Sequence, residues 1–409
     1  MKPLADEFTT VVQSDSPTDT YCYSPGLVKL PTGRLIATMD FGGTGAARFE
    51  NHCYRRNNAN CNVCKVFVSD DNGETWCEKQ SFPMLCARPF VAGTSLYLIG
   101  ICKDMTIARS DDNGETWTSA IDLTHGEFWH SAPTNVWYKG DCVYLVMERM
   151  THQKNGWPVG SIAPILMRGN IHSDLTKREN WTFASELVFD QEISPNALTD
   201  FGSPFYPDIP GGYMAGIPSG WLEANVVQLK KENDWFFDPT GHTFHIFLRC
   251  WTGLPWSGAF IKVVEHEDGS METMFETAPS GQRIVFTSIP GGGQSKFHIL
   301  YDEQTRLYWL LSNQFTDSMA DFNRMTPNER NGYDRSRLVL HYSCNCFDWI
   351  FAGVVTAGKT LHQSRSYASM VIDGDDLLIL SRTGDESALN GHDTNRITFH
   401  RVSNFRDLI

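Results

Sequence analysis

The stretch Ser69-Asp-Asp-Asn-Gly-Glu-Thr-Trp76 occurs a second time, letter for letter, as Ser110-Asp-Asp-Asn-Gly-Glu-Thr-Trp117. The two copies begin 41 residues apart, and a repeat at that period is typical of stacked β-blades, each of them one small sheet. Within each copy the second Asp can hydrogen-bond its own backbone, the Gly can adopt a positive φ, and the Trp can fill the apolar space beneath. We therefore expect each copy to form a tight turn between the outer strands of a blade.

Both copies resemble the Asp-box, S-x-D-x-G-x-[TS]-W, of sialidase-type β-propellers. The resemblance implies an all-β propeller fold, and it implies a structural role for the turn, since turns of this kind mostly serve packing. A length of 409 residues with 41% hydrophobic content can bury a closed ring of small sheets and excludes a disordered chain. We expect a single propeller domain over residues 1–409.

Six inner hairpins can be recognised, each made of an apolar run, a polar turn or connection and a second apolar run. We predict six four-stranded antiparallel blades, with a seventh blade in 184–220 as the alternative. The last outer run, Arg396–Val402, lacks a partner strand, which the N-terminal segment Phe8–Val12 is expected to supply, closing the ring. The six predicted hairpins are Leu27–Ala37, Phe90–Leu98, Val136–Leu145, Val226–Leu248, Phe297–Leu310 and Ser369–Leu380.

The charge balance restricts the partners. A formal net charge of −14 opposes binding to nucleic acid or to an anionic membrane, so an acidic ligand would need a local cluster of Arg. The first residues lack the apolar core of a signal peptide, and no stretch has the length of a spanning helix. We therefore expect a cytoplasmic protein.

The cysteines favour the same compartment. Eleven of them, scattered along the chain, fit a reducing environment better than a disulfide framework. His52-Cys53 together with Cys61 and Cys64 has a spacing that could hold zinc, but reduced thiols in a loop are the favoured interpretation. Carboxylates and backbone carbonyls in a central loop could hold calcium, but no run has the spacing of a dedicated calcium loop, and we expect no cofactor or metal.

Polar residues that bracket the inner hairpins of the later blades are the candidates for a functional site, because propeller ligands usually bind over the axis, where the inner strands converge. Long connections at 38–64, 149–164, 184–220 and 316–336 can add loops to such a site. The candidates are Glu223 and Arg249 around the hairpin of blade 4, Arg335 in blade 5, and Arg365, Tyr367 and Arg382 in blade 6.

This set resembles the active site of sialidases, which place a Glu in a pattern like E-x-x-V-V-x-L, an Arg at the end of the same hairpin, an Arg before a later strand and a Tyr at the start of the last blade. The resemblance implies that Tyr367 is a nucleophile activated by Glu223. It also implies that Arg249 and Arg335 hold a substrate carboxylate, since a planar guanidinium binds a carboxylate through two hydrogen bonds.

The sequence departs from the sialidase pattern at two places. Sialidases have the first Arg of a triad at the start of the first inner strand, where this chain has Tyr23-Ser-Pro-Gly-Leu27. Arg88, at the start of blade 2, is the candidate to replace the missing charge. The sialidase acid, an Asp after the first hairpin, has Asp40 as its one counterpart here.

Over most of its length the chain resembles more closely a second branch of sialidase-like propellers, enzymes that split the terminal L-rhamnose-α-1,4-glucuronate linkage of plant gums as lyases or as hydrolases. Elimination from a uronate needs cations beside the carboxylate, a base for the C5 proton and an acid for the leaving oxygen. Arg249, Arg335 and Arg382 would neutralise the carboxylate, and His130 or Tyr367 would move protons. The stretches that carry this resemblance are Trp221–Val227, Gly291–Asp302, His130–Thr134 and His392–Arg401.

We therefore expect an enzyme that removes a terminal sugar from an acidic glycan of the rhamnosyl-glucuronate type, by elimination or hydrolysis, with an oligosaccharide as its partner. The alternatives are an exo-sialidase with altered carboxylate recognition and a non-catalytic glycan-binding propeller. Structural roles also stay open: Glu223 could cap its strand, Tyr367 could serve packing, and His392 and Asp393 could only shape their loop. His298 is a further substrate-binding candidate, with a buried structural role as the alternative.

Overall fold

The computed structural model describes residues 2–54, 61–153, 158–193, 220–250, 256–293, 295–317, 324–326, 329 and 335–409. In this part of the chain the strands form six antiparallel sheets of four or five strands, arranged as the blades of a propeller, and one two-stranded ribbon. The predicted all-β, six-bladed fold is confirmed. The alternative of a seventh blade in 184–220 lies mostly on residues 194–219, outside the described residues.

Blades 1 to 3 each follow the order of the chain from the inner strand outward. Blade 1 consists of β2 (Tyr21–Lys29), β3 (Leu35–Gly43), β5 (Cys61–Ser69) and β6 (Cys77–Phe82), with β4 (Cys53–Tyr54) beside β5. Blade 2 consists of β7 (Leu85–Ala92), β8 (Ser95–Ile101), β9 (Met105–Ser110) and β10 (Ile121–Asp122). Blade 3 consists of β11 (Trp137–Lys139), β12 (Cys142–Met150), β13 (Ile162–Asn170) and β14 (Trp181–Phe183).

Blades 4 to 6 complete the ring. Blade 4 consists of β15 (Trp221–Val227), β16 (Thr243–Cys250), β17 (Ser257–Glu265) and β18 (Met271–Met274), with β21 (Phe286–Ser288) also paired to β17. The ribbon is β19 (Glu276–Thr277) with β20 (Arg283–Ile284). Blade 5 consists of β22 (His298–Asp302), β23 (Leu307–Asn313), β24 (Arg337–Ser343) and β25 (Ile350–Ala357). Blade 6 consists of β26 (Arg365–Asp373), β27 (Asp376–Thr383), β28 (Arg396–Val402) and β1 (Thr9–Gln13).

Helical segments are short. The α-helix Phe189–Glu192 has four residues, and the 3₁₀ turns are Thr44–Arg48, Val159–Ser161, Arg178–Asn180 and Phe405–Leu408. No helix in the described ranges is long and apolar enough to cross a membrane.

The ring is closed by the N-terminal strand, as predicted. Thr9 of β1 pairs with Phe399 of β28, and Gln13 pairs with Arg396. The last strand of the chain is therefore covered by the first, which removes an exposed sheet edge. Just before β1, the Ala5 carbonyl contacts His400 Nδ1 (2.9 Å), so the closure extends beyond the paired strands.

The two repeated octapeptides form the same turn between the third and fourth strands of blades 1 and 2. In the first copy Asp71 Oδ1 accepts hydrogen bonds from Ser69 Oγ (2.8 Å) and the Thr75 backbone N–H (2.9 Å). Gly73 has φ +92°, a conformation that glycine adopts readily. Trp76 Nε1 donates to the Gly73 carbonyl (3.1 Å), so the ring is held against the turn. The second copy repeats these bonds.

The tryptophans of these turns pack between blades. The ring of Trp76 in blade 1 meets Phe399 of blade 6, with centroids 5.6 Å apart, and Trp117 of blade 2 meets Phe82 of blade 1 at 5.7 Å. Most of the other buried apolar side chains also form clusters between neighbouring sheets. Burial between blades thus stabilises the ring and leaves the axis to polar residues.

Candidate active site

A β-bulge interrupts the inner strand of four blades close to its beginning. The ladder skips two residues in each of β2, β7, β15 and β26. A bulge bends the strand and re-aims the side chains at that point. One residue of each bulge has left-handed backbone with φ between 45 and 56°, and these residues are Ser24, Cys86, Glu223 and Tyr367. This conformation costs about 1 kcal/mol or more for a residue other than glycine, and such strain is concentrated at functional sites. Two of the four are the predicted catalytic residues.

Arg249 contacts both Glu223 and Tyr367 directly. Its Nη1 donates one hydrogen bond to Glu223 Oε2 (2.9 Å) and another to the Tyr367 hydroxyl (2.7 Å). All three side chains are buried. Burial acts to raise the pKa of Glu223, but the charges of Arg249 and Lys296 outweigh it, and the pKa lies below its ordinary value. An ionised carboxylate and a phenol from different blades therefore share one donor.

Arg382 lies between two tyrosine rings at the same place. Its guanidinium carbon is 4.3 Å from the ring centroid of Tyr23 and 4.8 Å from that of Tyr367. Burial lowers the pKa of Arg382, and the charge of Arg335, also buried, lowers it further. Arg249, Arg335 and Arg382 of blades 4, 5 and 6 are thus neighbours, and they make one side of the site cationic.

The first inner strand contributes Tyr23, where the sialidase pattern has an Arg. The Tyr23 hydroxyl donates to Asp393 Oδ1 (2.5 Å), and the same oxygen is 2.8 Å from His392 Nδ1. Asn390 Nδ2 donates to the other carboxylate oxygen at 3.1 Å. Asp393 therefore anchors both an aromatic ring of the site and the loop before β28. This side of the site presents a Tyr, Asp and His chain in place of a guanidinium.

Glu148, on β12, connects the predicted His130 to the central pair. Its Oε2 is 2.8 Å from His130 Nδ1, and its Oε1 accepts a hydrogen bond from the Glu223 backbone N–H. The side chain is 1% exposed. The sequence analysis did not single it out. The available signal was a carboxylate directly after the apolar run Val143–Met147, at the end of a predicted inner hairpin, where a buried and unpaired charge would be unfavourable.

Asp40, the predicted counterpart of the sialidase acid, is buried on β3. Its Oδ2 accepts a hydrogen bond from the Cys86 backbone N–H (2.6 Å), while Oδ1 makes no hydrogen bond to the described residues. Burial raises the pKa of Asp40 to about 7. A carboxylic acid with a pKa near neutrality is well suited to proton transfer at physiological pH.

Lys296 is a second residue that the sequence analysis did not single out. It lies two residues before β22, in the register that the bulged residues occupy in the other blades. The side chain is buried and forms no hydrogen bond or ion pair with the described part of the chain. Burial and the charge of Arg88 lower the pKa of Lys296. The charge of Lys296 in turn acts to lower the pKa of Asp40, against the effect of burial. Its ammonium group therefore lies among the carboxylates of the site.

Arg88 and His298 lie one layer further along the axis, where the ladder resumes after the bulges. Arg88 Nε donates to the Pro133 carbonyl (3.0 Å) and Nη1 donates to Ser369 Oγ (2.6 Å), which joins blade 2 to blades 3 and 6. His298 Nδ1 accepts a hydrogen bond from the Met370 backbone N–H (3.2 Å). Both residues therefore connect blades, and the structure does not bring them into contact with Tyr367.

Arg365 is held elsewhere in blade 6. Its Nη1 donates to the carbonyls of Ser364 (2.8 Å) and Gly384 (3.1 Å), and its guanidinium carbon is 5.5 Å from the ring centroid of Phe8 near the closing strand. These contacts place it apart from the Glu223 and Tyr367 cluster, although only one residue separates it from Tyr367 in sequence. Residues two apart on a regular strand would share a side, but the bulge at Tyr367 interrupts the alternation of β26 and re-aims the side chain at that point.

The described residues contain no group of three or more His, Cys, Asp or Glu side chains placed to hold a metal ion. Cys61 and Cys64 both lie within β5. Residues three apart on a strand project to opposite faces, so these two thiols cannot converge on one zinc ion. None of the eleven cysteines is joined in a disulfide.

No protein-family model and no curated protein matches this sequence. Its structure is similar to that of an α-L-arabinanase of Penicillium chrysogenum complexed with arabinobiose, with a TM-score of 0.51 and 12% identity over 100% of both chains. It is similar to a mutant Trypanosoma rangeli sialidase displaying trans-sialidase activity, with a TM-score of 0.52 and 14% identity over 100% of this chain and 60% of the sialidase chain. A Hadza microbial sialidase gives a TM-score of 0.53 and 13% identity over 97% of this chain and 68% of its own.

Identities this low carry the fold and not the activity. These similarities do not bear on the rhamnosyl-glucuronate branch. The comparisons therefore show a propeller fold similar to that of an arabinanase and of sialidases.

Proposed function

We propose that this protein is a glycoside hydrolase that removes a terminal sugar from an acidic glycan. Tyr367 is the nucleophile, Glu223 is its base and Asp40 is the acid. The observation that carries the proposal is the pair of hydrogen bonds from Arg249 Nη1 to the Glu223 carboxylate and to the Tyr367 hydroxyl. The fold supports it, since the similar structures include an arabinanase and sialidases.

The first chemical step uses these groups in sequence. The Tyr367 proton passes to Glu223, and the phenolate oxygen forms a bond to the anomeric carbon of the terminal sugar while the glycosidic C–O bond breaks. Asp40 gives its proton to the leaving oxygen, for which a pKa of about 7 is suitable. Arg249 stabilises the charge on the phenol oxygen before attack.

The second step reverses these roles. A water molecule loses a proton to the Asp40 carboxylate and attacks the anomeric carbon, and the bond to Tyr367 breaks. The phenolate regains its proton from Glu223. Two displacements at one carbon give a product with the anomeric configuration of the substrate, so the stereochemistry of the released sugar is a direct check on the mechanism.

The arginines support an acidic substrate. Arg382 is buried close to Arg335, and no carboxylate of the described residues is an ion-pair partner of Arg382 at 4 Å or less. Burying a cation without a counter-ion is unfavourable, and a guanidinium binds a carboxylate through two hydrogen bonds. A uronate or another carboxylated sugar meets this requirement, and a rhamnosyl-glucuronate oligosaccharide is the first substrate to test.

The test is product analysis with three substrates and matched variants. We expect release of a sugar from a rhamnosyl-glucuronate oligosaccharide, and none from neutral arabinobiose. Sialyl-lactose tests the exo-sialidase alternative. Tyr367→Phe should lower kcat by about 10³-fold or more, since it removes the nucleophile. Tyr342→Phe, on β24 of blade 5, is the control and should retain activity. Full activity of Tyr367→Phe would refute the proposed site.

Elimination is the second candidate reaction, and the His130 and Glu148 pair favours it. A His oriented by a carboxylate 2.8 Å away is suited to remove the C5 proton of a uronate, after which the bond from C4 to the leaving oxygen breaks and Tyr367 gives that oxygen a proton. The product then carries a conjugated double bond, which absorbs in the ultraviolet, whereas hydrolysis leaves none. Sugar binding without any product after long incubation would support the third alternative, a glycan-binding propeller.

A further inference from the structure

A cavity lies near the axis, further along the inner strands than the candidate active site. The inner strands begin at the active site, so their later residues surround this cavity, which we call the rear cup. Its volume is about 370 Å³. Its walls include Leu27, Trp137, Tyr301 and Met370, and Arg88 and His298 are among its lining residues. Since a water molecule takes about 30 Å³ in the liquid, the cup has room for roughly a dozen waters, or for a small organic molecule.

Arg88 brings an uncompensated charge to this cup. A guanidinium has five N–H donors, and Arg88 uses one on Nε and one on Nη1 for its bonds to Pro133 and Ser369. No carboxylate of the described residues lies within ion-pair distance of it, although it is only 4% exposed. Burial lowers its pKa to about 10, so it stays protonated at neutral pH. A buried cation without a counter-ion is unfavourable, and an anion in the cup would correct this.

Two further features indicate an organic anion in place of a simple ion. Thr134 Oγ1 is fully buried on the lining of the cup and has no hydrogen-bond partner among the described residues. The rim cation, Lys230, is already paired with Glu303, and it lies over the rings of Tyr301 (4.4 Å) and Trp137 (5.3 Å). The rim is thus neutralised and its walls are aromatic and aliphatic. This combination fits a molecule with one anionic end and an apolar body.

We propose that the rear cup binds a small organic carboxylate, with its carboxylate against the Arg88 guanidinium and its body between the aromatic walls. This site is separate from the proposed active site and does not depend on it. The natural ligand is defined by this chemistry, one carboxylate on a ring-sized apolar body. Bidentate pairing with a guanidinium supplies the specificity for charge.

The experiment is isothermal titration calorimetry with benzoate as the probe and benzamide as its neutral isostere. We expect benzoate to bind one per chain at millimolar concentration or below, and benzamide to bind at least tenfold more weakly. Arg88→Met should remove this preference. Val371→Trp places a large ring on the lining of the cup and keeps Arg88 itself, so it should abolish binding, and it tests the proposal even where Arg88→Met disturbs the joined blades.

Variants of the proposed active site distinguish it from the rear cup. Arg335→Met changes the cationic side of the proposed active site and should leave benzoate binding unchanged. Binding that survives Val371→Trp or is lost in Arg335→Met would place benzoate at the active site and overturn the proposal. Equal binding of benzoate and benzamide, or no binding of either at millimolar concentration, would overturn it as well. None of these outcomes depends on catalytic activity.

Discussion

Replacing Asp40 with Asn is expected to make the protein more stable at alkaline pH and less active. Burial raises the pKa of Asp40 from an ordinary value of 3.8 to about 7. Between these values the folded protein keeps a proton that the unfolded chain has released, so the free energy of unfolding falls as pH rises through this window and levels off above it. A difference of about three pH units corresponds to about 4 kcal/mol as an upper value.

Asp40→Asn should remove this fall in the free energy of unfolding with pH, because the amide is neutral at every pH. Its oxygen can still accept the hydrogen bond of the Cys86 backbone N–H. We expect the variant to exceed the wild type by about 2–4 kcal/mol at pH 8 and to match it near pH 4. Urea unfolding followed by tryptophan fluorescence at several pH values measures the difference. Asp15→Asn, at an exposed position, is the control and should leave the pH dependence unchanged.

The result that would refute this reasoning is a free-energy difference between Asp40→Asn and wild type that does not vary with pH. It would mean that Asp40 is ionised in the folded protein throughout the range. Asp40 would then be unable to donate a proton to a leaving group, and the proposed acid would have to be sought elsewhere. Loss of activity in the same variant without the stability change would leave it a role in binding only.

Three further changes test other parts of the structure. Glu148→Gln should lower kcat by about tenfold or more with little change in KM, because an amide would orient His130 and Glu223 less well than the carboxylate does. A shifted pH profile of kcat would distinguish this effect from misfolding. Gly73→Ala should lower the free energy of unfolding by about 2–4 kcal/mol in urea, since its Cβ would lie 2.2 Å from the Phe399 ring. The control is Gly33→Ala, which has a similar φ and open space around it and should lower the free energy of unfolding by about 1 kcal/mol. Deletion of residues 2–13 should lower Tm and produce aggregation, detected by light scattering, because it uncovers the edge of β28. Unchanged stability of Gly73→Ala, or a monomeric and equally stable truncated chain, would contradict the packing described here.

The architecture could be predicted from local patterns. The octapeptide repeat, the six pairs of apolar runs and the unpaired last strand are each visible within a few tens of residues, because a blade is a meander whose strands follow one another in the chain. Each predicted inner hairpin is present, and β1 closes the ring within one residue of the predicted segment. The outer turns could be predicted for the same reason, since their hydrogen bonds lie within eight residues.

The candidate site was predictable only in part. Residue types at the ends of inner strands pointed to Glu223, Arg249 and Tyr367, which the structure brings together. The same reasoning also selected Arg365 and Arg88, whose guanidinium groups are held by backbone carbonyls and by neighbouring blades. The residue type and its position along an inner strand indicate that a side chain is near the axis. They do not indicate the side of the strand from which it projects once a bulge has shifted the register.

The sequence by itself therefore determined the bladed architecture, the order of the blades and the closure of the ring, and it left a seventh blade in 184–220 open. Only the tertiary structure decided which polar side chains contact one another, because the hydrogen bonds of the site join different blades. Arg249 and Tyr367 are 118 residues apart in sequence, and Glu148 and Glu223 are 75 apart. Contacts of that span leave no period in the sequence. The raised pKa of Asp40 and the uncompensated charge of Arg88 likewise follow from burial, a property of the folded ring and not of any segment of the chain.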